Sequence, residues 1–316
     1  MKIHTANSHS KKAASLLKKL VLGGLLGVMT SSSASALTIR VDKPTRNYEN
    51  YGKWSRFDGS CTIFRGNNNN HGIASCVCFD SRWVVLARHT LRNVENYKNN
   101  TGDRVRIRAR GWESALSAYT PNRNVRIEQI TYYDDDFTSF TNTIDIGVAG
   151  SPFTIQPIRM AVLSSAWDEP GRVGSSASGA NNRSDGNGAS RKTENSNTSN
   201  SRDPNSVRWA GKNIIDTRTG FGVISNTIAS ILKYDFDSPS NTSSNRSGSA
   251  TAQALENGTA GGDSGSPVYI EKNGIPNLIA GVLSGGTGSG YGAEATYPRI
   301  RGYRNWILDV LADSSL

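Results

Sequence analysis

The chain has 316 residues, 36% hydrophobic and 20% charged, a balance that supports a packed globular core and excludes a low-complexity chain. The formal charge of +10 falls to +5 once the five lysines of residues 1–36 are set aside, and no interleaving of basic and aromatic residues marks a nucleic-acid partner. With four histidines, three cysteines and no H-E-x-x-H motif, neither a metal site of the metallopeptidase kind nor a cofactor is expected.

Residues 1–36 carry Lys2, Lys11, Lys12, Lys18 and Lys19 and no acid, then an apolar stretch from Leu20 to Met29, then Ala34-Ser35-Ala36. A basic start, a short apolar core and an A-x-A stop predict a secretory signal peptide cleaved before Leu37, too short to span a bilayer. The expected location is therefore secreted or periplasmic, without stable membrane insertion after cleavage. The roughly 280 residues that follow suffice for one large unit.

Short β-prone runs separated by Gly, Asn and Ser turns dominate this remainder: Cys61–Phe64, Ile73–Phe79, Arg82–Leu86, Arg104–Ala109, Val125–Ile130, Ile144–Ala149, Val268–Ile270 and Leu278–Leu283. Helical periodicity is expected only near the C-terminus, about residues 303–312. Gly171 to about Asn205 is nearly devoid of apolar residues and reads as a flexible insertion, and Ser238–Ser249 is a shorter loop of the same character. The three cysteines permit at most one internal bridge. Cys61 and Cys76 lie equidistant from the centre of Asn67–Asn70, so a hairpin there would set them face to face; three buried thiols are the alternative.

After signal cleavage two histidines remain. His71 follows the polar run Asn67–Asn70 and reads as a loop-tip residue, whereas His89 ends the run Trp83–His89, where an apolar strand would deliver the histidine at its edge and hold it rigidly. The cluster Asp134-Asp135-Asp136 reads as a solvated turn. Asp145 sits inside the apolar run Thr143–Ala149, where a carboxylate needs a partner, and a histidine N–H would satisfy it. Gly262-Asp263-Ser264-Gly265-Ser266-Pro267 can present a serine hydroxyl together with the backbone amides of Gly262 and Ser264 as an oxyanion hole.

On these three stretches, in the order His, Asp, Ser, the chain resembles the trypsin- and chymotrypsin-like serine peptidases, as a secreted bacterial-type member, over roughly residues 50–312. The resemblance implies an all-β fold of two packed six-stranded antiparallel β-barrels, about 50–150 and 155–300, with a C-terminal helix. It implies catalysis by His89, Asp145 and Ser264 on a protein or peptide substrate through an acyl-enzyme, with oligomeric state open. It also implies that Ser284 bonds Asp145, and that Gly258, Thr259, Ser284, Gly285, Gly286 and Ala295 form the substrate pocket. Small neutral walls favour an apolar side chain, with Glu256 and Glu294 leaving a basic one open. The family's usual disulfides have no counterpart, and neither does the new N-terminus whose ammonium pairs with the aspartate before the nucleophile. The alternatives are a non-catalytic homologue acting as a binding module, and an esterase using the same triad.

Overall fold

The computed structural model describes residues 37–65, 71–101, 105–109, 112–113, 118–119, 123–133, 145–155, 160–165, 168–177, 190–192, 200–201, 208–224, 227–259, 263–288 and 290–316. In chain order, the first half runs β1 (Thr38–Ile39), helix α1 (Thr45–Gly52), β2 (Ser60–Arg65), β3 (His71–Cys78), β4 (Trp83–Leu86), helix α2 (Arg88–Thr101), β5 (Val105–Ala109), β6 (Trp112–Glu113), β7 (Ala118–Tyr119), β8 (Arg123–Arg126), β9 (Gln129–Tyr132) and β10 (Gly147–Gly150). The second half runs β11 (Val162–Leu163), β12 (Val173–Ala177), β13 (Ser190–Lys192), β14 (Asn200–Ser201), β15 (Ala210–Ile214), β16 (Thr217–Ile224), β17 (Thr227–Asp235), β18 (Asn257–Gly258), β19 (Pro267–Lys272), β20 (Ile275–Val282), β21 (Gly285–Gly286), β22 (Glu294–Pro298) and helix α3 (Ile300–Ala312).

Bent strands close the sheets. The first sheet has the order β8-β5-β2-β3-β4-β10-β9, antiparallel throughout. Its two ends, β8 and β9, are joined by only Ile127 and Glu128. Ile127 N–H bonds Val105 O on one side (3.0 Å) and Glu128 N–H bonds Gly150 O on the other (2.9 Å). The expected strand Val125–Ile130 thus bends through β8 and β9, and its closure makes a six-stranded barrel.

The second half repeats the device. A five-stranded sheet, β11-β20-β19-β12-β15, and a four-stranded one, β16-β17-β22-β21, share two strands that turn the corner. Ile215 and Asp216 carry β15 into β16, bonded to Arg172 O and Lys233 O; Leu283 and Ser284 carry β20 into β21, bonded to Ser266 O and Thr296 O. Counting each bent strand once, the circuit is β12, β19, β20–β21, β22, β17 and β15–β16, again six strands. Strand β11 adds in parallel to the edge of β20.

Period-two alternation explains why the central strands read as continuous apolar runs. In β4, Val84 and Leu86 enter the first barrel while Trp83 and Val85 face the seam between the barrels. In β19, Val268 and Ile270 fill the second barrel and Tyr269 faces the same seam. Helix α3 closes the seam with Ile300, Tyr303 and Ile307, spaced along one helical face. Each large side chain buried there contributes roughly 1.5–3 kcal/mol by leaving water.

Cys61 and Cys76 are opposite in the β2–β3 register and joined by a disulfide, Cα to Cα 4.8 Å, and Cys78 is a buried thiol. Three expectations need correction. His71 is the first residue of β3, paired with Arg65, not a loop tip. The segment expected as an insertion from Gly171 begins with the core strand β12, because Ser175 and Ser176 spend their hydroxyls on Tyr51 and Tyr234 (2.7 and 3.0 Å). His89 does not end a strand: β4 stops at Leu86 and His89 lies in the first turn of α2, a helix held by buried Leu91 and Val94, three residues apart. Residues 134–136 and most of 178–207 lie outside the described residues, as do residues 1–36.

Candidate active site

Asp145 and His89 meet at two points. The main-chain N–H of His89 donates to Asp145 Oδ1 (2.7 Å), and the imidazole Nδ1 lies 2.6 Å from Oδ2. A carboxylate can only accept, so in this pair the ring carries its proton on Nδ1 and Nε2 is the basic nitrogen of the neutral imidazole. Ser284 Oγ donates to the same Oδ2 (2.7 Å), giving the 5% exposed carboxylate three donors. Burial pushes the Asp145 pKa up, but the bonds from His89 and Ser284 outweigh it and hold the group below the usual carboxylate range.

The turn that carries Ser264 is clamped from both barrels. Ser75 of β3 donates its N–H to Ser264 O (3.1 Å); Gly265 N–H bonds Leu283 O (2.7 Å), and Ser266 N–H bonds Asp263 O (2.7 Å). Gly265 has φ +88°, and a Cβ there would lie 2.1 Å from Ser75 O and 2.8 Å from Leu86 Cβ. Only glycine lets the turn press this closely on the end of β4, three residues before His89. Ser264 is half-buried beside it. Gly262, expected as an oxyanion donor, lies outside the described residues.

No family model matches the chain, and neither does any curated protein. Among solved structures, neuropsin, a serine protease expressed in the limbic system of mouse brain, is similar to it: 14% identical, with a TM-score of 0.51 over 82% of this chain and 96% of that one. The fold is chymotrypsin-like.

In this chymotrypsin-like frame the expected pocket residues gather around β18, β21 and β22. Gly285 and Gly286 pair with Thr296 and Ala295. A Cβ on Gly286 would sit 2.9 Å from Thr259 Oγ1, one on Gly258 would meet the Phe236 ring, and one on Gly285 would meet nothing within 4 Å. Glu294 accepts a bond from Ser247 Oγ (2.6 Å), with Lys233 Nζ at 3.9 Å. Among the described residues, no group of three or more His, Cys, Asp or Glu side chains is arranged to hold a metal ion.

Glu256, named from the sequence as a possible pocket acid, belongs to a set with half-buried Asp216 and buried Asp235 and Asp237, which sequence reasoning missed. Asp235 accepts the N–H groups of Arg246 and Ser247, Asp216 accepts that of Ser249, and Glu256 that of Gln253, so these carboxylates pin the loop 238–249 and the approach to β18. Burial pushes Asp216 and Asp237 up to about 7 and Glu256 up to about 9; the Asp235 carboxylate adds to the rise of Asp216 and Asp237. An acid with a higher pKa folded than unfolded stabilises the fold fully below pH ~4 and loses that contribution as pH rises through its folded pKa. The melting temperature, measured by calorimetry, should fall by ~5 °C or more from pH 5.5 to pH 8.5. Glu256→Gln, which keeps the acceptor for Gln253, should flatten that slope, and a flat or rising wild-type profile would contradict the assignment.

Proposed function

We propose that the chain is a secreted serine endopeptidase. The observation that carries the reading is the double grip of buried Asp145 on His89, which leaves Nε2 as the one ring atom able to take a proton. Ser264 Oγ attacks the peptide carbonyl while His89 Nε2 accepts its proton, and Asp145 stabilises the imidazolium that forms. The carbonyl oxygen becomes an oxyanion, for which the amides of Gly262 and Ser264 are the donors; each is worth roughly 3–4 kcal/mol in sites of this kind. His89 then protonates the leaving amine, and water, activated by the same nitrogen, hydrolyses the acyl-enzyme. Export is supported by the Cys61–Cys76 disulfide, a bond of oxidising compartments, together with the signal-like residues 1–36. Among the described residues no helix is long and apolar enough to cross a membrane.

Thr259, Gly286 and Ala295 are small and uncharged, so the pocket takes a large apolar side chain. A fluorophosphonate probe should label one serine, mapped by mass spectrometry to Ser264, and a peptide library should show cleavage after large apolar residues. Absence of labelling and of cleavage would mean a binding module. Turnover of esters but not of peptides would mean an esterase, and cleavage only after Lys or Arg would overturn the pocket.

A further inference from the structure

The segment that leads into the expected pocket residues Gly258 and Thr259, Gln253–Thr259, is held along one flank by residues near the start of the described chain. Strand β1 pairs antiparallel with β18, Thr38 opposite Gly258 and Ile39 opposite Asn257. Thr38 Oγ1 donates to Thr259 O (3.3 Å), Arg40 Nη1 to Gln253 O (2.8 Å), and the Tyr48 hydroxyl to Glu256 O (2.9 Å). The same hydroxyl accepts the N–H of Arg40 (3.2 Å), and the Arg40 guanidinium is fixed by Asp42 through Nε and Nη2 (2.8 and 2.6 Å). Leu37, Ile39 and Tyr48 are fully buried against Trp209, with Leu255 packed on them. The other flank is held from the barrel, where Asn213 Nδ2 donates to Asn257 O (2.9 Å) and Lys212 N–H to Leu255 O (2.8 Å).

We propose that residues 37–48 are a positioning strap that sets the pocket floor, Asn257–Thr259, from within the chain rather than through a free amino terminus. These bonds from strap to floor come from side-chain or main-chain groups of residues 38, 39, 40 and 48. Thr259 is the last floor residue before the stretch that leads to Asp263 and Ser264, and its hydroxyl lies directly against Gly286. Displacing the strap therefore moves the wall that receives the substrate side chain. Tyr48, which bonds both Arg40 N–H and Glu256 O, is the pivot, and Thr38 and Arg40 hold the two ends.

The inference rests on the peptidase reading, and the test separates the two. Tyr48→Phe removes one oxygen and keeps the packed ring; Thr38→Val keeps the strand. For each, kcat and KM are measured on peptides with a large apolar or an alanine residue at the cleavage site, normalised to the active fraction found by fluorophosphonate titration. The expected result is a fall of about tenfold in the preference for the large residue, carried by KM. A chain that retains Ser35 and Ala36 before Leu37 should match the chain that begins at Leu37 within about twofold in kcat/KM, as expected when no amino terminus takes part. An unchanged preference in both variants, or a loss equal for both substrates that tracks only the active fraction, would overturn the strap. So would a loss of tenfold or more on extension. If the unaltered protein neither cleaves peptides nor takes the probe, the peptidase reading fails instead.

Discussion

Ser264→Ala is expected to lower peptide turnover by about 10⁶-fold, with the melting temperature unchanged within ~2 °C. In the proposed mechanism the hydroxyl oxygen is the atom that bonds to carbon, so its removal leaves no group to take its place and the loss is large. The fold survives because the turn does not depend on that oxygen. Its three clamps are main-chain bonds, Ser75 N–H to Ser264 O, Gly265 N–H to Leu283 O and Ser266 N–H to Asp263 O, and alanine keeps all of them. The strained conformation belongs to Gly265, with its φ of +88°, so alanine at 264 meets no left-handed backbone. Side-by-side kinetics and calorimetry check both halves. A variant retaining more than about 1% of turnover would remove Ser264 from the chemistry, since losing a nucleophile costs orders of magnitude more.

The chymotrypsin-like architecture was legible wherever a strand announced itself locally. Trp83–Leu86, Val268–Ile270 and Leu278–Val282 are apolar on both faces, so composition alone marks them, and Asp145 stood out because a carboxylate in such a run needs a donor. What escaped depends on partners far along the chain. Strand β12 reads as polar linker, yet its serines are core residues because Tyr51 and Tyr234, 124 and 58 residues away, supply the other half of each hydrogen bond. Gly174 fits there because a Cβ would crowd Val268 to 2.8 Å, another long-range fact. Helix α2 was hidden by its asparagines, which are poor helix formers, although the spacing of Leu91 and Val94 was a readable sign of its buried face. The buried pair Arg299–Glu169 (2.6 and 2.8 Å) could not be read at all, since neither residue carries a local mark of its partner. The same holds for the strap: nothing in Leu37–Tyr48 by itself points to residues 253–259.

The second large effect is expected from Asp145→Asn, a change of one atom. Asparagine can keep Oδ1 as acceptor for the His89 main-chain N–H, the 2.7 Å bond that fixes the start of α2. Its amide nitrogen then takes the place of Oδ2, 2.6 Å from the imidazole Nδ1, and that nitrogen only donates. Nδ1 must become the acceptor, so the ring proton moves to Nε2 and the nitrogen proposed as the base is lost. Turnover should fall about 10⁴-fold at neutral pH while the fold remains. Ser284→Ala, which removes one of two donors to Oδ2 and leaves the tautomer untouched, should cost no more than about tenfold. The contrast separates proton placement from packing: a purely structural Asp145 would make the two variants similar in size, with both visible in the melting temperature. If Asp145→Asn kept turnover within tenfold of the unaltered protein, His89 would be drawing its orientation from elsewhere, and the two-point grip would be an anchor for the helix rather than part of the chemistry.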